Sequence, residues 1–512
     1  MDAESLLAIP RGVNVWKVSY MSETRSSKEE VDRRKFLKYT GAFVAGAVVA
    51  GAGVAAYNAS QPVPTQTVTQ TVTAPAVTVT QTAAPPPAQL VGWSVRPGKP
   101  YAGTTLNVAA YQGWICYAGA LKKLPEFEAA TGINVNLIEI QSPDILSKPL
   151  LDFSQGTKRY DVTTTSSGFW PAYFPYALDL NKYATEDFGS LDAFTSQLFP
   201  VMQKKPVYQG KLSSIPIHAN MQFIVYRRDL MESATEQAAF KAKYGRDLAQ
   251  PKSYDTLVDL GTFFTRPDTG MKGFTYWGNG ALGGYVYAAL VWAERHIPFI
   301  DENYNIDIES GPGHDTAVRL AQWLVDLTNK YHITPDSESS VTTGAAWELY
   351  MAGKTPMLFG WMGDYWGMAR TSEVTSKYGQ PAGWPWVVPG GWISCWGLVA
   401  DSHTDKPGAA WEFMKWNASK DVQGAMADGS GQGSWFVAEA QDQVAKGYTA
   451  AGIPDGINAP GATWPAFIPE WAQIENGVIA VEVPKLISGQ YTPEQLVDAL
   501  VAGIKKAIEG HA

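Results

Sequence analysis

Apolar and polar positions alternate along Thr105-Leu106-Asn107-Val108-Ala109, which predicts a strand. Between 118 and 130, Leu121, Leu124 and Phe127 recur at helical spacing. Gly132 ends that helix and Ile133-Asn134-Val135-Asn136-Leu137 resumes the alternation, so the globular part opens near Gly103 on a strand, helix, strand unit. Such units build parallel α/β sheets, whose ligands sit beyond the carboxyl ends of the strands, where Tyr111 and Trp114 fall. Tyr160-Asp161-Val162 starts a further strand, and Ser166-Ser167-Gly168-Phe169-Trp170 is the loop beyond it.

Over 212–230 the apolar run is interrupted by Pro216, which cannot donate to a ladder, and by Asn220. One sheet is expected to end near Ile215 and another to begin near Phe223, with the chain crossing from one lobe to a second and a ligand cleft between them. Residues 251–257 initiate a helix, and Tyr276-Trp277-Gly278-Asn279-Gly280 is a polar, aromatic loop ahead of an apolar helix over 285–293. Leu320, Leu324 and Leu327 mark another amphipathic helix. A helix over 346–351 stops at Gly353, and a short buried strand over 355–359 runs into Gly360-Trp361-Met362-Gly363-Asp364. Gly390-Gly391-Trp392 leads into a strand carrying Cys395, and Asp405 reads as the cap of a helix over 408–416 with Pro407 in its first turn. Gly431-Gln432-Gly433-Ser434-Trp435 is another rim loop, and Thr492-Pro493-Glu494-Gln495 is a capping box opening the last helix.

The first hundred residues follow a different pattern. Residues 1–40 form a cytoplasmic segment ending in Asp32-Arg33-Arg34-Lys35-Phe36-Leu37-Lys38, and 41–57 is an uncharged apolar run. Together they resemble a twin-arginine export signal, an ordinary secretory signal or membrane anchor being the other reading. Basic residues precede the run and none immediately follows it, which places the later chain on the extracellular face of the membrane, exported and either cleaved or retained by the anchor. Residues 58–100 are a Thr/Pro-rich linker suited to an extended stalk.

Composition narrows the function classes. A net charge of -9 without a block of Lys or Arg argues against a nucleic-acid partner. With two Cys and six His, none of the His at helical ligand spacing, no metal site and no cofactor are expected, although one long-range disulfide between Cys116 and Cys395 stays open. The 19 Trp exceed what core packing commonly needs and suggest a stacking surface.

Several separated segments together resemble the extracellular solute-binding proteins of sugar ABC transporters, family 1, the group similar to maltose-binding protein. These are the Leu106 strand, Phe127-Glu128-Ala129-Ala130-Thr131-Gly132-Ile133, Tyr160-Asp161-Val162, the crossing from Ile215-Pro216 to Tyr226-Arg227-Arg228-Asp229-Leu230, Gly353-Lys354-Thr355-Pro356-Met357, Ala409-Ala410-Trp411-Glu412-Phe413 and the Thr492-Pro493-Glu494 helix. Arg227 stands where the family usually has Asn and Tyr254 where it has Trp, and the bacterial lipid-attachment Cys is missing, while the stalk is similar to archaeal members.

The resemblance implies an α/β, two-lobed, type II periplasmic-binding-protein-like fold with a hinge. Residues 104–216 and 390–445 would form lobe 1, and 217–389 and 446–512 lobe 2. It implies a monomer with no catalytic activity that captures a carbohydrate of oligosaccharide length and delivers it to the permease subunits of an ABC transporter. Trp114, Trp170, Trp277, Trp361 and Trp435 are the candidate stacking platforms, with Asn279 and Asp364 as hydroxyl partners and Ser166, Ser167 and Gly391 beside them; any of the Trp can instead be packing. Two alternatives remain: an exported glycoside hydrolase using Asp364 and Glu348, and the same fold holding a quaternary ammonium such as betaine by cation–π attraction.

Overall fold

The computed structural model describes residues 91–510 apart from 142–143, 386–390, 451 and 459–461, and it leaves the side chains of 280–282, 362, 364 and 385 undescribed. The twin-arginine segment, the apolar run over 41–57 and the tract over 60–89 therefore lie outside the described residues. Among those described, no helix is long and apolar enough to cross a membrane.

The strands are β1 (Thr105–Tyr111), β2 (Asn134–Ile140), β3 (Val162–Ser166), β4 (Val207–Tyr208), β5 (Lys211–Leu212), β6 (Ile215–Tyr226), β7 (Met357–Trp361), β8 (Ala382–Pro385), β9 (Gly391–Ala400) and β10 (Ala462–Thr463). The helix Ala118–Thr131 closes on Gly132, whose φ of 71° lies in the left-handed region open to glycine, and so turns the chain into β2. β2 and β3 both pair with β1 in parallel, as the strand, helix, strand pattern requires. The larger sheet runs β2-β1-β3-β9-β6-β7, with β9 antiparallel to both β3 and β6.

β6 is one continuous strand of 12 residues, where a break between Ile215 and Phe223 was expected. Pro216 is absorbed by a register shift between Pro216 and His218, so its missing donor falls at an irregularity instead of ending the ladder. Asn220 stays inside the strand because its side chain has a partner: Oδ1 accepts from the Gly363 amide at 3.1 Å. What changes along β6 is its neighbour. Residues up to Met221 pair with β9, and from Gln222 onward the strand pairs with β7 and β8.

Downstream, the helix Gly280–Arg295 is buried on every side from Val286 to Ala293, which its uniformly apolar sequence requires. Leu320, Leu324, Leu496, Leu500 and Ile504 pack in the same core from the helices Gly311–Asn329 and Pro493–Ala507. The expected capping box forms: Thr492 Oγ1 accepts from the Gln495 amide at 3.3 Å and Gln495 Oε1 from the Thr492 amide at 2.9 Å. Asp405 does not cap the helix Pro407–Asn417, which starts after Lys406 without a side-chain cap; its carboxylate instead pairs with Lys158 at 2.7 Å.

Residues 91–100, the end of the segment read as linker, are packed on the domain. Trp93 sits edge-on to Phe188 and Phe436, with ring centroids 4.8 and 4.7 Å away. Arg96 pairs with Glu186, Asp187 and Glu412, and buried Lys415 pairs with the last two. Removing Arg96 would leave Lys415 alone between two buried carboxylates, a costly arrangement that makes this stretch part of the fold.

Backbone crowding around β9 yields a test. A Cβ at Gly397 would stand 2.4 Å from Trp170 Cζ2 and 2.8 Å from the Ile215 carbonyl oxygen, neither of which can retreat. Gly397→Ala should lose about 2 kcal/mol or more in urea unfolding. Gly424→Ala, on the helix Lys420–Ser430 with nothing within 4 Å of its Cβ, should be neutral or gain up to about 1 kcal/mol. Equal midpoints for the two variants would refute the packing described.

Candidate functional site

The carboxyl ends of the parallel strands carry the first group of rings. Tyr111 ends β1, the chain turns through Gly113 at φ 66°, and Trp114 follows. The Tyr111 ring stacks on Trp396 of β9 with centroids 5.6 Å apart, and Trp114 lies 4.8 Å from Trp396 and 5.2 Å from the His218 ring. All three aromatic side chains are half-buried. Ser166 pairs across the ladder with Trp396, and Ser167 Oγ accepts from the Cys395 amide at 3.4 Å, which sets the loop after β3 beside these rings.

A second group comes from later elements. Tyr285 near the start of the helix Gly280–Arg295, Trp361 at the end of β7 and Trp392 at the start of β9 lie within 4.9 to 6.2 Å of one another. Trp471 adjoins Trp392 at 6.1 Å. One turn on, where the helix widens to a π-turn over Ile474–Ile479, Glu475 is buried between the two rings that bond it. Trp471 Nε1 donates to Oε2 at 2.6 Å and the Tyr285 hydroxyl to Oε1 at 3.1 Å. Burial pushes the Glu475 carboxyl up to about 7, against the lowering effect of those two bonds. The Tyr285 phenol is raised well above its ordinary value by burial, then by Glu475 and by Tyr111. A Cβ at Gly168 would meet Trp471 Cδ1 at 2.8 Å and Glu475 Oε2 at 3.2 Å, so the loop after β3 seats directly on this carboxylate and only glycine fits.

Between the ring groups runs the polar face of β6. His218, Asn220 and Gln222 alternate with apolar residues on a wholly buried stretch. Gln222 Nε2 donates to the Tyr285 carbonyl at 3.0 Å, while its Oε1 and both ring nitrogens of His218 are buried with no hydrogen-bond partner among the described residues. Each such group costs about 1–3 kcal/mol, a cost relieved by a hydroxyl-bearing ligand. Burial lowers His218 to about 3, so its ring is neutral and offers one donor and one acceptor. The arrangement combines aromatic faces for apolar ring surfaces with hydrogen-bonding groups beneath them.

Of the residues singled out from sequence, Trp114 and Trp361 are half-exposed in the two ring groups, with Ser166 and Ser167 beside the first. Gly391 adopts φ 93°, and a Cβ there would stand 3.5 Å from the Ala289 carbonyl oxygen and 3.9 Å from Gln222 Oε1. Trp170, Trp277 and Trp435 show no ring face to solvent. Trp170 and Trp277 fill the space left by Gly397 and Gly360, and Trp277 Nε1 donates to the Tyr365 hydroxyl. Trp435 Nε1 donates to the His218 carbonyl at 2.9 Å, so this indole supports the floor from behind. Asn279 is exposed ahead of the helix Gly280–Arg295, and the Asp364 side chain lies outside the description. Glu348 is exposed on the helix Thr343–Met351, and Cys116 and Cys395 are both buried.

Sequence reasoning did not single out Trp396, Tyr285, Trp471, Glu475, His218 or Gln222. Two signals point to them: polar residues every second position in an otherwise apolar strand, and a lone carboxylate four residues after a Trp on an apolar helix.

The raised Glu475 predicts a pH dependence. The folded carboxyl keeps its proton to about pH 7 whereas the unfolded one releases it near 4.5, so the folded state binds more protons between these values and stability falls as pH rises through them. Glu475→Gln lacks this slope. Its stability relative to the natural protein should rise by on the order of 3 kcal/mol from pH 4.5 to 7 and then level off. Urea titrations across that range check it, and a flat difference would mean the carboxyl is ionised throughout.

The family profile described as bacterial extracellular solute-binding protein matches residues 113–424. Among solved structures, maltose-bound MalE3 of T. maritima is 19% identical, covering 79% of this chain and 99% of that one at a TM-score of 0.66. The GacH receptor of Streptomyces glaucescens, solved unliganded and with acarbose, is 16% identical over 80% and 99% at 0.62. The Listeria monocytogenes substrate-binding protein in complex with cycloalternan is 17% identical over 79% and 99% at 0.61. A probable amino-acid ABC transporter periplasmic-binding protein of Sinorhizobium fredii is 22% identical over 331 residues, 63% of this chain and 71% of the relative. The fold is the two-lobed type II arrangement of the periplasmic binding proteins, as expected.

Proposed function

The chain belongs to the bacterial extracellular solute-binding protein family, and from that premise we propose that it captures a carbohydrate in the aromatic cleft and hands it to the permease subunits of an ABC transporter. The observation that carries this reading is the pair of ring groups, Tyr111–Trp114–Trp396 and Tyr285–Trp361–Trp392, joined by the polar face of β6, where His218 meets Trp114 and Gln222 bonds the Tyr285 carbonyl. Pyranose rings present apolar faces to stack and hydroxyls at their edges to bond, which is the complement of that surface. Solved neighbours bound to maltose, cycloalternan and acarbose, and others bound to tagatose, ribitol and mannitol, support a carbohydrate or polyol cargo.

In this reading lobe 1 is 104–216 with 390–445, lobe 2 is 217–389 with 446–512, and β6 and β9 carry the chain between them. The ligand contacts are Trp114, Trp361 and Ser166 from the sequence expectations, joined by Tyr111, Trp396 and Tyr285, with Ser167 and Trp471 buried behind them; Asn279 and Asp364 remain as rim partners. The protein acts as a monomer without catalysis or a nucleic-acid partner. Export through Arg33-Arg34 and a stalk leave it at the extracellular face.

A thermal-shift screen of the purified chain against oligosaccharides, monosaccharides and betaine tests the reading, with mass spectrometry of each mixture. A ligand at about 100 times its Kd should add about 2.7 kcal/mol of stability. Trp114→Ala should weaken the hit about tenfold, a loss of about 1.4 kcal/mol, with the fold intact by circular dichroism. Cleaved sugar would replace the carrier by a hydrolase, and a response to betaine alone would replace the cargo.

A further inference from the structure

One Trp of each ring group stands at the start of a helical element, and those elements are packed together. Trp114 is the N-cap of the helical turn Ile115–Tyr117, which runs into the helix Ala118–Thr131, and Trp361 is the N-cap of the helix Met362–Ala369. The Gly363 carbonyl lies 3.9 Å from Cys116 Sγ, while the Gly363 amide bonds Asn220 on the floor. A third helix, Lys420–Ser430, packs on both. A Cβ at Gly119 would collide with the Ala425 carbonyl, one at Gly367 would stand 2.7 Å from the Ser430 carbonyl carbon, and one at Gly431, which adopts φ 80°, would stand 2.9 Å from the Gly367 amide nitrogen. Backbone therefore rests on backbone along this path from Trp114 to Trp361, with no flexible side chain to absorb a change in spacing.

Arg370 locks the last joint. It is the C-cap of the helix Met362–Ala369, and its guanidinium reaches two other segments: Nη1 donates to the Asp428 and Tyr448 carbonyls, each at 3.2 Å, and Nη2 donates to Asp428 Oδ1 at 2.8 Å. The same group lies 5.3 Å from the centre of the Tyr448 ring. The Asp428 carbonyl is among the last four of the helix Lys420–Ser430, which lack intrahelical donors, and a cation there meets the negative end of the helix. The Asp428 side chain is 55% exposed, so the ion pair alone contributes little. The planar fork that spans two carbonyls is what a lysine cannot reproduce.

We propose that these helices form a bracket that sets the separation of the two ring groups before a ligand enters, and that Arg370 is a positioning residue for the Trp361 platform. The inference rests on the reading of the ring groups as the binding site. In the two-lobe reading the bracket joins 362–370 of lobe 2 to 420–431 of lobe 1. A pre-set spacing removes ordering cost from binding, so loosening it costs affinity while the ring contacts themselves are untouched.

The test uses the full chain with nitroxide labels on introduced cysteines, Lys122→Cys paired first with Val481→Cys and then with Ala242→Cys, all at exposed positions. Cys116 and Cys395 are buried, and the unsubstituted chain controls for their labelling. Double electron–electron resonance on the unliganded chain should give one narrow distance for each pair. Arg370→Ala should lengthen or broaden at least one of them by more than about 2 Å, with circular dichroism unchanged. Arg370→Lys keeps the charge without the fork; it should show a smaller shift in the same direction, and it guards against an Ala variant that misfolds. Of the probes maltose, maltotriose, tagatose and mannitol, any that binds should bind Arg370→Ala at least about fivefold more weakly, and at saturation should return the distance toward its natural value, which a merely damaged fold would not do. Unchanged distances in Arg370→Ala would overturn the bracket, and unchanged affinity despite a shifted distance would overturn the positioning role; both leave the carrier reading standing. If none of the probes binds, the distances alone decide the bracket.

Discussion

The cleft depends on a strand that can bury a polar face without coming apart. β6 holds His218, Asn220 and Gln222 in a stretch where all but the last residue is buried, and unsatisfied groups there cost of order 1–3 kcal/mol each. The backbone meets that strain with ladder pairing along its length, to β9 up to Met221 and to β7 and β8 beyond it. Because the partner changes while the strand continues, one rigid element reaches both ring groups. The Pro216 irregularity falls before the polar face begins, so the register that aims these side chains is set downstream of it.

Close approach of backbone to the floor follows from that rigidity. Gly363 lies where a Cβ would stand 3.2 Å from Asn220 Nδ2 and 3.4 Å from His218 Nε2, and Gly168 brings the loop after β3 onto Trp471 and Glu475. These glycines let elements from distant parts of the chain converge without side chains intervening. The aromatic residues then occupy what space is left, some as half-exposed faces and some as filling, and Trp277 against Gly360 shows the second case.

Local pattern made the elements legible. The alternation at Thr105, the left-handed stop at Gly132, the Thr492 capping box and the apolar helix before Ala293 all depend on neighbours within a few residues, and each formed. The Asp405 cap did not, because Lys158, far away in sequence, offered its carboxylate a partner that local spacing cannot register. The same limit governs the site. Whether a Trp stacks on a ligand or fills a core is decided by what lies across from it: Gly397 admits Trp170 to the interior, whereas Trp114 meets Trp396 and His218 at a partly open face. Residue type and loop position were visible for both; the long-range partner was not.

The burial of Glu475 sets a local electrostatic cost against the packing of the core. A carboxylate held by Trp471 and Tyr285 without a cation is tolerated because the Trp471 helix is anchored elsewhere, by Ile474, Val478 and Ile479 in the large core. The helix widens to a π-turn over Ile474–Ile479, whose apolar residues lie in that core. The carboxylate is thus held in place by packing that never touches it.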